Sequence, residues 1–251
     1  MSGHSKWSTI KRKKAANDAK RGAVFTRLAR EIVLAAREGG GDPEVNFRLR
    51  LAIEKAREAN MPNDNVERSI KRGTGEDKEG INFEEVTYEG YAPNGVAVIL
   101  ECVTENRNRT VADIRHGLDK YGGSLGENGS VMWQFDRISY FTFSEDKMDF
   151  DSAFELAIEA GADDVVQEDG MIEIIGPVNS FKTISNALEA AQVKPEDAGL
   201  RMEPKQEMKL SLNDALQVLK AIDGLEDLDD VQNVYHNMTI SDEAMAALET
   251  A

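Results

Sequence analysis

The most constraining feature of this chain is a regular alternation of strand-like and helix-like segments between residues 137 and 208. Short β-branched and aromatic runs predict strands, and apolar residues at helical spacing predict helices. Six segments follow one another in the order β-α-β-β-α-β, at 138–143, 150–160, 164–167, 171–175, 181–191 and 200–206. This order defines the split βαβ or ferredoxin-like unit. The sequence therefore predicts a complete ferredoxin-like domain at 137–208.

The segments on either side of this block are incomplete without each other. Upstream there are two strands around a Pro-Asn-Gly turn, a helix and a third strand, and downstream a helix, a strand and a short terminal helix. The strands are predicted at 86–91, 96–103, 131–135 and 231–237. The helices are predicted from 108 onward, at 212–222 and within 239–251. The simplest arrangement inserts the ferredoxin-like block into a second α+β domain, formed by residues 80–136 and 209–251.

The first third of the chain has the spacing of amphipathic helices. Apolar residues recur every three to four positions in three stretches, which stop at the glycine-rich run 39–43, at Pro62 and at Gly73. Three helices joined by short turns can bury one modest core. A polar linker at 74–80 follows, so residues 1–79 are predicted to form a basic arm and a helical domain. The predicted fold class is α+β, with a helical N-terminal domain followed by two α+β domains, one ferredoxin-like and inserted into the other.

Charge is distributed unevenly along the chain. The first 38 residues contain ten Lys and Arg but only three Asp and Glu, a net charge of +7. The whole chain has a formal net charge of −16, so the residues after Glu38 carry −23. A polyanion is therefore attracted to one end of the molecule and repelled by most of the rest.

Four consecutive cations at 11–14 form the densest part of this basic end, and a further pair follows at 20–21. Such a density of charge is unfavourable without counterions, which phosphates supply. Trp7, beside Lys6, offers a flat ring that can stack on a base. The alternative is a solubilising tail in which Trp7 and Ile10 dock on the helical domain. We favour nucleic-acid binding because the positive charge is confined to one end of an acidic chain. The residues assigned to this contact are Lys6, Trp7, Lys11, Arg12, Lys13, Lys14, Lys20, Arg21 and Arg27.

Two more arginines, Arg107 and Arg109, lie where the helix of the second domain is predicted to begin. Asn108 or Thr110 is expected to cap that helix by accepting backbone N–H groups. Guanidinium groups bind phosphate through paired donors. Arg107 and Arg109 are therefore added to the nucleic-acid-binding residues, as a second contact with a polyanion or with another domain.

The chain lacks the residue patterns of common enzyme and metal sites. Its three histidines, His4, His116 and His236, have no metal-ligand spacing, and neither a GxSxG nor a GxxxxGK[ST] motif occurs. Cys102 is the only cysteine; it lies in an apolar run and is expected to be a core residue. We therefore expect a protein that is not an enzyme and that needs no cofactor or metal.

Two other segments resemble ligand-binding loops. The glycine-rich run 122–126 follows a helix and precedes a strand, the reverse of the order that aims a helix N-terminus at phosphate. A tight turn is therefore a better interpretation than a nucleotide site. The acidic run 226–230 lacks the ligand spacing of an EF-hand, so we expect a solvated loop and not a calcium site.

Composition favours a cytoplasmic protein. Apolar residues make up 41% and charged residues 30%, and no run approaches the roughly 18 uncharged apolar residues of a membrane span. The N-terminal residues lack the apolar core of a secretory signal. We expect no membrane contact and favour a monomer, and an organelle is the open alternative for location.

The chain resembles one family along nearly its whole length. The motifs that carry the resemblance are SGHSKW at 2–7, IK at 10–11, DAKRG at 18–22, RLR at 48–50, NMP at 60–62, RGTG at 72–75, YEGY at 88–91, NRNRT at 106–110, GGSLG at 122–126, EAGA at 159–162 and DDVQNVYHN at 229–237. Together they are similar to the YebC/PmpR family, which includes mitochondrial translational activators of cytochrome oxidase subunit one. Met238, where an aromatic residue is common, is a conservative departure.

The resemblance implies a three-domain protein with a non-enzymatic role in gene expression. Bacterial members carry the label of DNA-binding transcriptional regulators, whereas the organellar members, and some bacterial ones, point to translation on the ribosome. The residues themselves indicate a polyanion without choosing between DNA and ribosomal RNA. The turns between the predicted helices are broken by proline or glycine and differ in length, which disfavours a helix-turn-helix. A third possibility is an adaptor whose acidic domains bind ribosomal proteins.

Overall fold

The computed structural model describes residues 18–76 and 83–249. The helices of this part of the chain are α1 (Asp18–Gly39), α2 (Phe47–Glu58), α3 (Asn63–Gly73), α4 (Arg107–Lys120), α5 (Phe150–Glu159), α6 (Phe181–Ala190), α7 (Leu212–Glu226) and α8 (Asp242–Glu249). The strands are β1 (Glu84–Tyr91), β2 (Ala97–Thr104), β3 (Ser124–Leu125), β4 (Phe135–Ser144), β5 (Asp164–Glu168), β6 (Met171–Pro177), β7 (Asp197–Pro204) and β8 (Val231–His236). Within these residues, no helix is both long and apolar enough to cross a membrane.

Helices α1, α2 and α3 pack around their apolar faces, as their sequence spacing predicts. Ile32, Leu49, Ala52 and Val66 are among the buried residues of this core. Asn46 joins two of the helices, since its side-chain oxygen accepts from the N–H of Leu49 at 3.1 Å and caps α2. Its amide nitrogen donates to two carbonyl oxygens at the end of α1, each at 2.7 Å. The end of α1 and the start of α2 are therefore fixed relative to each other.

The first sheet has the strand order β3-β1-β2-β8, and each neighbouring pair is antiparallel. Strand β8 lies more than a hundred residues after β2, yet pairs with it from Val98–His236 onward. Ile114 of α4 and Ile222 of α7 pack in the core on one face of this sheet. The sheet is thus completed by a strand that follows the second sheet in the sequence.

The second sheet has the order β5-β6-β4-β7, again antiparallel throughout. Helices α5 and α6 contribute Ala153 and Ile184 to one core with Phe141, Phe143 and Ile174 of the sheet. This order with two helices on one face confirms the predicted ferredoxin-like arrangement and its insertion between elements of the first sheet. Strand β4 begins two residues before the predicted limit of the inserted block, at Phe135.

An apolar contact joins the two sheets. Ala97, Ile99 and Tyr235 of the first sheet pack with Phe135 and Met202 of the second. Both faces of the first sheet are therefore covered, one by helices and the other by the inserted domain.

Three local predictions were wrong. The segment 131–135 is not a strand: Met132–Gln134 form a 3-10 turn, because the N–H groups of Val131 and Met132 donate to the carboxylate of Glu89 and not to a neighbouring strand. Helix α4 starts at Arg107 and is capped by Asn106, whose side chain accepts from the N–H of Arg109, so neither Asn108 nor Thr110 is the cap. The last strand of the inserted domain begins three residues earlier than predicted and ends at Pro204, since proline has no N–H for the ladder.

Truncating the core of the inserted domain should destabilise it. Phe141 is 1% exposed and stacks on Phe181 with ring centroids 4.9 Å apart. We expect Phe141→Ala to lower the free energy of opening of β4 and β6 by about 3–5 kcal/mol, through lost burial and the cavity left behind. Native-state hydrogen exchange of these strands measures the loss. Val45→Ala is the control: Val45 is 79% exposed, so an equal loss there would contradict the assignment of Phe141 to the core.

Candidate nucleic-acid interface

The residues assigned to nucleic-acid binding fall into three groups in the structure. Six of them, Lys6, Trp7, Lys11, Arg12, Lys13 and Lys14, lie outside the described residues, so their assignment stays a prediction. Lys20 and Arg21 belong to the first turn of α1, for which the backbone alone is described. The side chains of Arg27, Arg107 and Arg109 are described, and they lie on two different parts of the molecule.

Arg27 lies on the face of α1 that borders a groove between the helical domain and both sheets. Helical periodicity places positions 20, 24, 27 and 31 on this one face. Val24, Arg27 and Glu31 line the groove, which has a volume of about 710 Å³. Arg27 makes no hydrogen bond or ion pair with any described residue. It therefore places a cation at the groove, two helical turns after the Lys20 position.

Most of the other charges in this groove are compensated. Arg48 forms ion pairs with Glu38, at 2.6 Å, and with Glu85. Arg137 lies 3.8 Å from the carboxylate of Glu101. Five cations and four acids line the groove altogether, so its walls are nearly neutral and do not form a continuous track for phosphates.

Arg107 and Arg109 are engaged with carboxylates. The Nε of Arg107 lies 2.6 Å from Glu84, and Arg109 lies 3.5 Å from Asp230 and 3.7 Å from Glu105. Both side chains are about half exposed. Each would lose a present ion pair with a carboxylate if it bound a phosphate instead. A phosphate contact through these two residues stays a prediction. These ion pairs are not the predicted contact with another domain, since Glu84, Glu105 and Asp230 belong to the same α+β domain as the two arginines.

Asp230 is a buried carboxylate at which the helical domain meets the first sheet. It is 6% exposed and accepts hydrogen bonds from the hydroxyls of Thr104, at 3.1 Å, and Thr110, at 2.7 Å. The guanidinium of Arg30, on α1, forms an ion pair with it at 2.9 Å, and Arg109 approaches from α4. The cluster therefore joins α1, β2, α4 and the loop before β8.

The expectation of a solvated acidic loop at 226–230 is wrong at both ends of the run. Glu226 ends α7 and is 7% exposed, and Asp230 is equally buried. Burial acts to raise the pKa of Asp230, but the Thr110 hydroxyl, the Arg30 charge, the Thr104 hydroxyl and the Arg109 charge outweigh it and hold the pKa below its usual range. The carboxylate is therefore ionised and structural at neutral pH.

The sequence did not identify Arg30 as a structural residue, because its partner, Asp230, lies 200 residues away in the chain. Besides Asp230, it donates to the backbone oxygens of Val103, at 3.3 Å, and Asp229, and lies 5.6 Å from the ring centre of Phe83. Val33 and Leu34, one turn further along α1, pack with Phe83 and Val103. These contacts hold α1, which carries the basic residues at its start, against the acidic first sheet.

The glycine-rich loop confirms the prediction of a tight turn, with positive φ at Gly122 (82°) and Gly129 (85°). It also contains an anion site that the chain itself fills. The carboxylate of Glu89, 3% exposed, accepts from the N–H groups of Gly129, Val131 and Met132 at 2.6, 2.8 and 2.7 Å. Burial acts to raise the pKa of Glu89, and these three donors outweigh it and lower the pKa. A phosphate would find these donors occupied.

The helical domain offers little for reading a DNA duplex. Its two connections have different lengths, seven residues at 40–46 and four at 59–62. The shorter one fits a helix-turn-helix, but a recognition helix contacts base edges with its N-terminal residues. In α3 these residues include exposed Asp64 and Glu67, which repel phosphate.

Cys102 and His236 are of residue types that often act in catalysis, but both are buried and their pKa values lie far from neutral pH. Burial raises the pKa of the Cys102 thiol to about 12. Burial also lowers the pKa of His236 to about 4. Within residues 18–76 and 83–249, no group of three or more His, Cys, Asp or Glu side chains is positioned to hold a metal ion.

Removing the charge of Asp230 should loosen α1 from the first sheet. We expect Asp230→Asn to destabilise the protein by about 3 kcal/mol near neutral pH, the lower end for a buried ion pair that loses one partner. Because the folded pKa is lowered, the wild-type stabilisation is present above the unfolded pKa of about 3.9 and is lost as the pH falls through the folded value.

The difference between wild type and variant should therefore shrink in acid, which urea unfolding at a series of pH values measures. Asp136→Asn is the matched control, since Asp136 is 65% exposed and pairs with Lys205 at the surface. A difference that does not depend on pH would contradict an ionised Asp230.

The comparisons with known proteins cover almost the entire chain. Residues 5–76 match the family described as "TACO1/YebC protein N-terminal domain", and residues 83–238 match "TACO1/YebC second and third domain". A relative from Syntrophotalea carbinolica is 53% identical over 248 residues, and one from Acidithiobacillus ferrooxidans is 54% identical over 249 residues. Each comparison covers 99% of both chains, and each relative is named "Probable transcriptional regulatory protein".

A solved structure has the same fold. The crystal structure of a conserved hypothetical protein from Aquifex aeolicus is 42% identical, with a TM-score of 0.80 over 90% of this chain and 93% of that one. The resemblance seen in the sequence motifs is thereby confirmed. The chain belongs to the TACO1/YebC family.

Proposed function

We propose that this protein is a non-enzymatic, nucleic-acid-binding regulator of gene expression that holds phosphates with its basic arm and the start of α1. The observation that carries the proposal is the separation of charge, +7 in the first 38 residues against −23 in the rest. Phosphate contacts supply most of the affinity of such proteins and position them on the nucleic acid. The acidic body limits the contact to one end of the molecule.

The described part of the chain supports this placement. Lys20, Arg21 and Arg27 are carried by α1, which Arg30 attaches to the buried Asp230. The basic arm therefore continues from a helix whose position relative to the acidic body is fixed. The glycine-rich loop does not compete for phosphate, because Glu89 occupies its N–H groups.

Two further observations fit a regulator without catalysis. Both relatives described above carry the name "Probable transcriptional regulatory protein". The thiol of Cys102 and the imidazole of His236 both titrate far from neutral pH, so neither is suited to proton transfer there.

Neutralising the arm should weaken binding to every sequence alike. We expect the affinity for nucleic acid to fall about a hundredfold at moderate salt in a variant that combines Lys11→Ala, Arg12→Ala, Lys13→Ala and Lys14→Ala. The salt slope, which is the slope of log K against the logarithm of the salt concentration, should become smaller in magnitude by about 3. Fluorescence anisotropy with a single-stranded RNA and a DNA duplex, each at several salt concentrations, measures both effects.

The matched control removes the same charge from the acidic body, again three lysines and one arginine. These exposed residues are Arg115, Lys182, Lys209 and Lys220. Their combined replacement by Ala should leave the salt slope unchanged. Equal losses in the two variants would mean that net charge alone governs binding, and an unaffected arm variant would overturn the proposal.

A second candidate, a ribosome-associated translation factor, is favoured by the charges of the helical domain and body. The exposed acids of α3 oppose the reading of a DNA duplex, and a body of −23 complements basic ribosomal proteins. Crosslinking in cells followed by sequencing of the attached nucleic acid separates the two, since ribosomal RNA indicates translation and promoter DNA indicates transcription. Ribosome association that survives both nuclease treatment and deletion of residues 1–21 would instead identify a protein adaptor.

A further inference from the structure

Trp133 is an indole side chain displayed to solvent on the 3-10 turn before β4. It is 69% exposed, so its contribution to the core is small. Large aromatic side chains bury more apolar area than most others and are enriched among residues that dominate protein interfaces. An exposed tryptophan therefore calls for an explanation outside the fold.

The exposure of Trp133 does not come from a loose loop. Its Nε1–H donates to the carbonyl oxygen of Ser130 at 3.1 Å, and the Tyr91 hydroxyl donates to the same oxygen at 3.4 Å. The buried Glu89 carboxylate holds the backbone on both sides of Ser130, at Gly129 and Val131. The indole is therefore held in one orientation before any partner arrives, which lowers the entropic cost of binding.

The residues near Trp133 in the chain include two exposed acids, one of which is paired with a lysine. The turn places Glu127 next to Ser130, whose N–H donates to the Glu127 carbonyl oxygen at 3.1 Å, and the Glu127 side chain is exposed. Asp136, 65% exposed, follows three residues after Trp133 and pairs with Lys205 at 3.2 Å. A base stacked on this indole would bring its phosphate towards these carboxylates and towards a body of −23. A cationic side chain meets no such repulsion.

We propose that Trp133 is the centre of a docking surface for a basic protein segment, in which an Arg or Lys side chain stacks on the indole face. Tryptophan is the most favourable ring for a cation–π contact. The exposed carboxylate of Glu127 and the net charge of −23 after Glu38 complement the remaining positive charge. The surface lies on the acidic body, so it goes beyond the proposed nucleic-acid contact and does not require the basic arm.

Tryptophan fluorescence tests this directly. The chain contains two tryptophans, so Trp7→Phe leaves Trp133 as the sole reporter. The probe is an eight-residue peptide of alternating Gly and Arg, and the same peptide with Gln in place of Arg is its neutral counterpart. We expect the Arg peptide to shift Trp133 emission to the blue and the Gln peptide to leave it unchanged. Absence of a shift with the Arg peptide would overturn the proposal.

Variants locate the contact. Trp133→Ala should weaken Arg-peptide binding about tenfold, and Trp133→Phe should restore part of the loss because phenylalanine is a weaker cation–π ring. Phe154→Ala is the matched control, since Phe154 is a 43% exposed aromatic residue on α5 among acidic residues. Isothermal titration calorimetry measures the affinities.

Two results would contradict the proposal. Equal losses for Trp133→Ala and Phe154→Ala would show general attraction to an acidic surface. A single-stranded RNA decamer that shifts Trp133 emission where the Arg peptide does not would assign the indole to nucleic acid. Failure of the arm variants to lose nucleic-acid affinity would leave this proposal standing, because both measurements here report on Trp133 and the Trp7→Phe background removes no charge from the arm.

Discussion

The buried carboxylate of Asp230 is the contact on which the arrangement of this protein depends. It accepts from Thr104 and Thr110 within the domain of the first sheet and pairs with Arg30 from the helical domain. Removing Arg30 would leave a buried carboxylate without its ion pair, and removing the carboxylate would leave the two threonine hydroxyls without their acceptor. Either change costs free energy of folding. Because Arg30 lies on the helix that carries the basic residues, the same carboxylate sets where positive charge is presented relative to the acidic body.

Glu89 is a second buried carboxylate that is held by hydrogen bonds. Its carboxylate is buried and satisfied by backbone N–H groups, and it fixes a loop and not a domain. Part of the large negative charge of the body is therefore structural. The remainder lies on the surface, where it repels nucleic acid and attracts cationic partners. The two proposed contacts, phosphate at the basic end and a basic segment at Trp133, follow from this division of charge.

The sequence was sufficient for the inserted domain and insufficient for the contacts between domains. The period of apolar residues predicts each element of the ferredoxin-like unit, since one face of every strand and helix must be buried in the same core. Nothing in the local pattern of Asp229-Asp230 shows that one carboxylate is exposed and the next is buried, because the difference comes from Arg30 and Thr104, far away in the chain. The strand predicted at 131–135 was wrong because of another contact that is distant in the chain: the N–H groups of Val131 and Met132 donate to Glu89. Trp133 was likewise not recognised, because exposure cannot be read from one residue in an apolar run.

The central claim is that nucleic acid contacts the basic end and avoids the acidic body. Ultraviolet crosslinking of the full chain to a single-stranded RNA or a DNA duplex, followed by mass spectrometry of the crosslinked peptides, tests this residue by residue. We expect crosslinks to be concentrated within residues 1–38 and, apart from Arg107 and Arg109 at the start of α4, to be absent from the surfaces of the two sheets and their helices. Crosslinks concentrated between residues 83 and 249, with residues 1–38 unmodified, would contradict it.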